Sequence, residues 1–233
     1  MRCRAPRRAG SILTLPLLAA ALSLILAACA GLAPIATVPG PIAGQGSVTS
    51  EDRTTGEFQH LSVGGGLRVE VTSGSPVSVK LAAQANLLPL ITTEVSGGQL
   101  IVNVKAPGVS TSQPMTLTVV VPDLRSVTLS GGANGTLVAT VDELALDVSG
   151  GASLEATGRA RSLSLTASSG AQAKLAGLVA DSATVAASGG CQAELNVTST
   201  LSGSATGGAT IRLTRAPATL DVTTSGGGSV LGG

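Results

Sequence analysis

The sequence predicts an all-β chain whose second half, residues 123–233, is a single-stranded parallel β-helix with about 19 residues per coil. A strand-rich N-terminal region, residues 57–122, precedes it. Three observations carry the prediction. A Ser-Gly-Gly-Ala unit recurs at Ser130, Ser149, Ser168 (as Ser-Ser-Gly-Ala), Ser188 (Ser-Gly-Gly-Cys), Thr206 (Thr-Gly-Gly-Ala) and Ser225 (Ser-Gly-Gly-Gly). The steps are about 19 positions, with the one from Ser168 to Ser188 one longer and the one from Ser188 to Thr206 one shorter. Between the units apolar and polar residues alternate, the mark of strands with one buried face. Two short strands per repeat leave no room for a crossover helix, which takes about a dozen residues of its own, so the repeats must stack as coils. Right-handed coiling is the expected sense, as for parallel crossovers in general.

Residues 1–28 read as an export signal. Arg2, Arg4, Arg7 and Arg8 form a cationic start, and an apolar run from Ile12 to Ala28 follows, broken once by Pro16. That run would only just span ~30 Å of hydrocarbon, which favours a cleaved signal over a membrane helix. Leu26-Ala27-Ala28-Cys29 resembles the bacterial lipobox. Small residues let a peptidase hold the extended backbone before the cut, and the Cys29 thiolate is the nucleophile that takes the lipid. Cys29 is therefore the expected lipid-attachment residue. Its acyl chains, gaining ~0.8 kcal/mol per buried CH₂, would hold the protein to the extracytoplasmic side of a membrane, at the cell surface or in the periplasm. Cys3 leaves with the signal, so Cys191 is alone in the folded part and no internal disulfide can form.

Without the signal the chain carries 10 basic and 13 acidic residues, a net charge of −3. That balance argues against a nucleic-acid partner. Phe58 is the one aromatic residue, which removes base stacking and the ring platforms that usually grip sugars.

Residues 29–56 read as a flexible tether, because Pro34, Pro39, Gly40, Pro41, Gly44 and Gly46 interrupt any apolar period. An ordered first strand is compatible with only part of that segment. From residue 57 short alternating runs begin: Phe58–Val63, Leu67–Thr72, Val77–Leu81, Ile91–Val95, Leu100–Val104 and Met115–Val121. They read as strands separated by Gly, Pro and Asn turns, with Ser96-Gly97-Gly98-Gln99 closing a hairpin.

Aligning the repeats shows which side chains must stack. The fourth position gives Ala133, Ala152, Ala171, Cys191 and Ala209; the eighth gives Leu137, Ala156, Leu175, Leu195 and Leu213. Ahead of each turn lie further columns, among them Leu144, Leu163, Ala183, Leu201 and Leu220, and Val148, Ala167, Ala187, Ala205 and Thr224. The paired glycines permit positive φ at a corner made once per coil. The seventh position, Thr136, Glu155, Lys174, Glu194 and Arg212, faces outward with alternating sign. The fifth, Asn134, Ser153, Gln172, Gln192 and Thr210, is a polar stack able to hydrogen-bond along the solenoid.

The run Pro122-Asp123-Leu124-Arg125-Ser126-Val127-Thr128-Leu129-Ser130-Gly131-Gly132-Ala133, with the later Ser-Gly-Gly-Ala units, resembles the bacterial head GIN-domain family of autotransporter-adhesin-like lipoproteins. The stretch from Phe58 through Asn86-Leu87-Leu88 to Leu100-Ile101-Val102 is similar to that family's opening, so the resemblance spans residues 57 to 233. It implies an exported β-helical adhesin domain and supplies no catalytic residue. The chain departs from the family in its poverty of aromatics, which counts against a sugar-binding role.

Little in the sequence points to chemistry. His60 is the one histidine, and nothing near it in sequence suggests a Ser-His-Asp arrangement. One histidine and one unmodified cysteine do not make a usual zinc set. Asp142, Glu143, Asp147, Glu155, Asp181, Glu194 and Asp221 fall on different columns rather than forming the carboxylate clusters of polysaccharide-cleaving β-helices. The Gly-rich turns lack the helix and Lys-Ser/Thr partner of a phosphate loop. Outward hydroxyls at Ser164, Thr166, Thr184, Ser202, Ser204 and Thr223 share a face that Asp147, Ala186 and Asp221 interrupt.

No catalytic, cofactor-binding or metal residue and no cofactor is therefore expected. The expected function is that of a non-enzymatic cell-envelope lipoprotein whose solenoid surface serves adhesion or scaffolding. The alternative is a polysaccharide-binding or polysaccharide-degrading β-helix protein. Expected partners are the membrane through the lipid on Cys29, an envelope protein or glycan, and a second copy through the open last coil ending Val230-Leu231-Gly232-Gly233.

Overall fold

Each repeat becomes one coil because its apolar residues recur at every second position, which points them to one side of an extended chain. The computed structural model describes residues 40–105 and 108–233. The export signal, Cys29 and the first part of the expected tether lie outside the described residues. The first strands are β1 (Ile42–Ala43), β2 (Val48–Asp52), β3 (His60–Val63), β4 (Arg68–Ser73), β5 (Ser78–Gln84), β6 (Ile91–Ser96), β7 (Gln99–Val104), β8 (Val109–Ser110), β9 (Thr116–Val121) and β10 (Ser126–Leu129). The repeats follow as β11 (Asn134–Val148), β12 (Ser153–Ala167), β13 (Gln172–Ala187), β14 (Gln192–Ala205), β15 (Thr210–Leu213), β16 (Thr219–Thr224) and β17 (Ser229–Gly232). A short 3₁₀ turn at Leu88–Leu90 is the one helical element among the described residues.

The coils form two walls. Wall A stacks the strand segments that follow each Ser-Gly-Gly turn; wall B stacks those that precede it. Pairing is parallel and in the expected register: Thr136 lies beside Glu155, Glu155 beside Lys174, Lys174 beside Glu194 and Glu194 beside Arg212 on wall A. On wall B, Leu144, Leu163, Ala183, Leu201 and Leu220 are successive neighbours. The columns at the fourth and eighth positions are buried throughout. A further inward column at the sixth position holds Gly135, Leu154, Ala173, Ala193 and Ile211. Each Leu removed from water in this core contributes about 1.5–3 kcal/mol. The paired turn residues take positive φ in every coil, and their N–H groups bond the next turn, as Gly132 does to Gly150 O at 3.1 Å and Gly190 to Gly207 O at 2.9 Å.

The longer step after Ser168 is absorbed by a bulge in β13, where Lys174 to Gly177 spans Glu155 to Thr157 of β12, and the shorter one after Ser188 by two register shifts between β13 and β14, at Leu175–Val179 and at Ala180–Ser182. Ala176, Gly177 and Leu178 of β13 have no partner on β14, where Leu195 and Asn196 are consecutive. Asn196 Nδ2 donates to Ala176 O at 3.0 Å and ties the bulge down.

The strands expected over residues 57–122 form within a few residues of their expected bounds, and they continue the same stack out of sequence order. The coil of β3 and β4 sits between β7/β9 on one side and β10/β11 on the other. Antiparallel strands then close this end, here termed the head: β6 pairs β7 through the expected hairpin, β5 pairs β9 and β2 pairs β5. The tether expected over residues 29–56 is strand-bearing from Ile42 onward, a correction to that reading. The cause is polar, which is why no apolar period signals it. Asn86 Oδ1 accepts from Gln45 N at 2.7 Å, Asn86 Nδ2 donates to Ala43 O at 2.8 Å, and the nearly buried Gln84 donates to Gly46 O at 3.1 Å.

At the opposite end, the tail, β16 pairs β14 and β17 pairs β15. The outer edges of β16 and β17 meet no strand among the described residues.

Candidate functional site

Where wall A turns into wall B the alternation slips, and two outward residues follow one another: Asp142-Glu143, Arg161-Ser162 and Asp181-Ser182 in successive coils. The slip makes a corner and sends consecutive polar side chains to the same outer surface. Arg161 Nη2 meets Asp142 Oδ1 at 3.0 Å, and Arg159 Nη2 donates to Asp181 Oδ1 at 2.8 Å. With the segment Pro122-Asp123-Leu124-Arg125 they border an open, concave cavity of about 760 Å³. Asp123, Arg125 and Glu143 line it without an opposite charge within 4.0 Å among the described residues.

Of the seven acids expected to scatter, Asp142, Glu143 and Asp181 border this one cavity, whereas Asp147, Glu155, Glu194 and Asp221 stand elsewhere. Column numbering counts from the glycine turn and assumes unbroken alternation, so it misses residues gathered where the alternation fails. Two adjacent polar residues ahead of Leu144, Leu163, Ala183 and Leu201, though not ahead of Leu220, were the signal available. The arrangement offers carboxylate acceptors and guanidinium donors to a polar ligand, with two ion pairs holding four of the side chains in place. Those pairs are exposed, so each contributes little to folding.

His60 and Ser126 are also brought together. They are register neighbours on wall B, and His60 Nδ1 lies 2.7 Å from Ser126 Oγ. On this wall their strand neighbours in the same column are Gln99 and Ala145, so no carboxylate stands in line to complete a triad. Cys191 is fully buried in the small-residue column, and its Sγ–H donates to Ala167 O at 3.3 Å. Burial pushes the thiol above its ordinary range, against the pull of two backbone hydrogen bonds. This is the environment of an inert packing residue.

The outward rows stand where the repeats place them. Gln172, Lys174, Gln192, Glu194, Thr210 and Arg212 line a shallow depression of about 120 Å³ on wall A. The polar fifth column makes one side-chain contact between coils among the described residues, Ser229 Oγ to Thr210 Oγ1 at 3.4 Å; the longer Gln side chains do not form the expected chain. On wall B Thr184 and Ser202 hydroxyls lie 3.4 Å apart. No His, Cys, Asp or Glu side chains converge in a metal-holding group of three among the described residues. No helix among them is long and apolar enough to cross a membrane.

A family model described as "Putative auto-transporter adhesin, head GIN domain" matches residues 57–231. The chain belongs to the head GIN-domain family. Its fold is shared by solved relatives of low identity. A "putative adhesin" from Bacteroides fragilis aligns with a TM-score of 0.68 at 15% identity, over 82% of this chain and 99% of the other. A "putative adhesin" from Parabacteroides merdae gives 0.52 at 18% identity, over 83% and 99%. A "Putative lipid binding protein" from Parabacteroides distasonis gives 0.51 at 14% identity, over 82% and 99%. No curated protein sequence matches the chain. In this head GIN domain the match begins at residue 57, just before β3, so the strands β1 and β2 are an addition to the matched region.

Proposed function

We propose that this head GIN-domain protein is a non-enzymatic, lipid-anchored envelope adhesin whose solenoid presents the charged corner to a polar partner. The observation that carries the reading is the corner cavity itself, set on stacked strands and lined by charges of both signs, three of them without an ion-pair partner among the described residues. Family membership and the adhesin descriptions of the solved relatives support the same role. Cys29 is the anchor in this reading, which makes the protein extracytoplasmic, at the cell surface or in the periplasm. The partner is an envelope protein or a glycan recognised through hydroxyl and charge contacts, since Phe58, the one aromatic, is buried.

Two measurements test it. Replacing Cys29 by Ser should move the protein from the membrane to the soluble fraction and abolish labelling by a fatty-acid precursor; unchanged membrane association would discard the anchor. Binding on a glycan array and on envelope extracts should weaken about tenfold or more on Arg125→Ala or Glu143→Ala, as loss of a charge-assisted contact predicts. Unchanged binding would move the site off the corner.

A second reading, a polysaccharide-cleaving enzyme, is favoured by the presence of Asp123, Asp142, Glu143 and Asp181 among the residues that line that cavity. Carboxylate pairs supply the acid and base of glycoside cleavage. Turnover of an acidic polysaccharide that disappears in Asp142→Asn or Asp181→Asn would establish it in place of the binding role.

A further inference from the structure

The two ends of the solenoid differ in how their strand edges are protected. At the head, β2 carries Glu51 and Asp52, β6 carries Glu94, and the segment Gly44–Gly46 lies over Gln84 and Asn86. Charges on an edge strand oppose pairing with another chain. At the tail, β17 reads Ser-Val-Leu-Gly with no charge, and β16 holds one, Asp221. Leu220 and Leu231 stand 51% and 44% exposed there, beside partly buried Val222 and Val230. An open row of backbone donors and acceptors with aliphatic side chains on it is a template for another strand.

We infer that the tail is a homotypic contact: the β16 and β17 edges of one molecule pair with those of a second copy, tail to tail. Charge selects the arrangement. Arg212 lies beside Leu231 on wall A and Arg215 follows it, whereas Asp221 is on wall B. A two-fold axis that exchanges the walls sets β17 of one copy against β16 of the other, antiparallel, and brings the arginines of each toward Asp221 of its mate. Pairing β16 with β16 would instead oppose Asp221 to itself. A two-fold contact also closes, so it ends at a dimer, whereas stacking head on tail would run on into filaments.

The chain enters this unit at the head, through β1 and β2. On the reading that Cys29 is the anchor, each molecule of a tail-to-tail pair carries its own lipid. Where the two lipids of a pair enter different membranes, tail pairing joins those membranes, and many weak contacts acting together make such a junction strong.

The unlipidated chain starting at residue 30 keeps every core residue and suits sedimentation equilibrium and small-angle scattering. The expected result is a concentration-dependent dimer, nearly doubled in length. The double variant Leu220→Lys/Leu231→Lys should weaken it at least about tenfold, while the head variant Val48→Lys, at a site 45% exposed, leaves it unchanged. Unaltered circular dichroism and thermal midpoint in the Lys variants would certify that folding is intact. A monomer at all concentrations, a ladder of higher oligomers, or a dimer lost through Val48→Lys and retained in the tail variant overturns the inference. Full-length lipidated protein in phosphatidylcholine vesicles supplies the second arm. Vesicles carrying it should clump with one another and stop clumping in the tail variant. A solution dimer without clumping would keep the tail contact and discard its bridging role, and vesicle binding that survives Cys29→Ser would discard the anchor alone.

Discussion

Asp142 and Arg161 occupy the same corner position in consecutive coils, and their side chains meet at 3.0 Å. One coil further, Asp181 takes that position but pairs with Arg159, two residues before Arg161. The corner is thus a ladder of alternating sign laid along the solenoid axis. Both pairs are exposed to solvent, so their contribution to folding is expected to be small. Arg161→Ala and Asp142→Ala should each change the urea unfolding free energy by no more than about 1 kcal/mol. Their double-mutant coupling should fade as salt approaches about 1 M, where charges are screened within ~3 Å. A coupling that persists in high salt would show that the pair is organised by something other than exposed charge.

How much of this was legible beforehand depended on periodicity. The stacking of Leu144 on Leu163, and of Glu155 on Lys174, follows from counting in steps of about 19, because a shift of one residue would turn every Leu outward. The corner cavity did not follow. Asp142-Glu143 and Arg161-Ser162 sit where alternation breaks, and a column count anchored on the glycine turns carries no information about them. The nonsequential place of β3 and β4 was hidden for a different reason: their alternation fits any neighbour, and only the pairing of Val63 with both Val102 and Leu129 fixes the order. The docking of residues 42–52 was hidden because it runs through backbone pairing with β5 and β8 and through the side chains of Gln84 and Asn86 at residues 43–46, none of which needs an apolar period.

The Ser169 position tests the turn chemistry. Five of the six turns place glycine at both positive-φ positions; this one places Ser169 at φ 54°, the one non-glycine residue with positive φ among the described residues. A Cβ in that region costs about 1–2 kcal/mol, while glycine gives back part of the gain through the unfolded chain. Ser169→Gly should therefore raise stability by about 0.5–1 kcal/mol, read as a higher thermal midpoint. A lower midpoint would mean that the hydroxyl makes a contact outweighing the strain.

Asn86 acts as a side-chain rung between the head and residues 43–45, accepting from Gln45 N and donating to Ala43 O. Asn86→Ala removes both bonds while leaving the buried columns untouched. Hydrogen exchange should speed up across residues 42–46, less in β2, which keeps its ladder with β5, and remain slow in β11 to β14, with a global loss of no more than about 2–3 kcal/mol for two hydrogen bonds. Uniform loss of protection would show that the head strands are integral to the cooperative unit instead of laid upon it.

Cys191 fills a column otherwise made of alanine, and burial holds its thiol pKa above the ordinary 9.0. The proton is therefore released more readily by the unfolded chain than by the folded one. Below the ordinary thiol range both states keep it and stability is unaffected. As pH climbs past that range the unfolded chain ionises first, so stability falls until the folded thiol can ionise as well. Cys191→Ala should cost about 1 kcal/mol or less at neutral pH, since alanine already occupies this position in the neighbouring coils. It should also flatten the alkaline decline of the thermal midpoint. Thiol reagents should label the native protein at the rate of unfolding and no faster. Rapid labelling under native conditions, or an alkaline decline that survives Cys191→Ala, would mean that the column is open at this coil and that the stack is looser there than Ala171 and Ala209 on either side require.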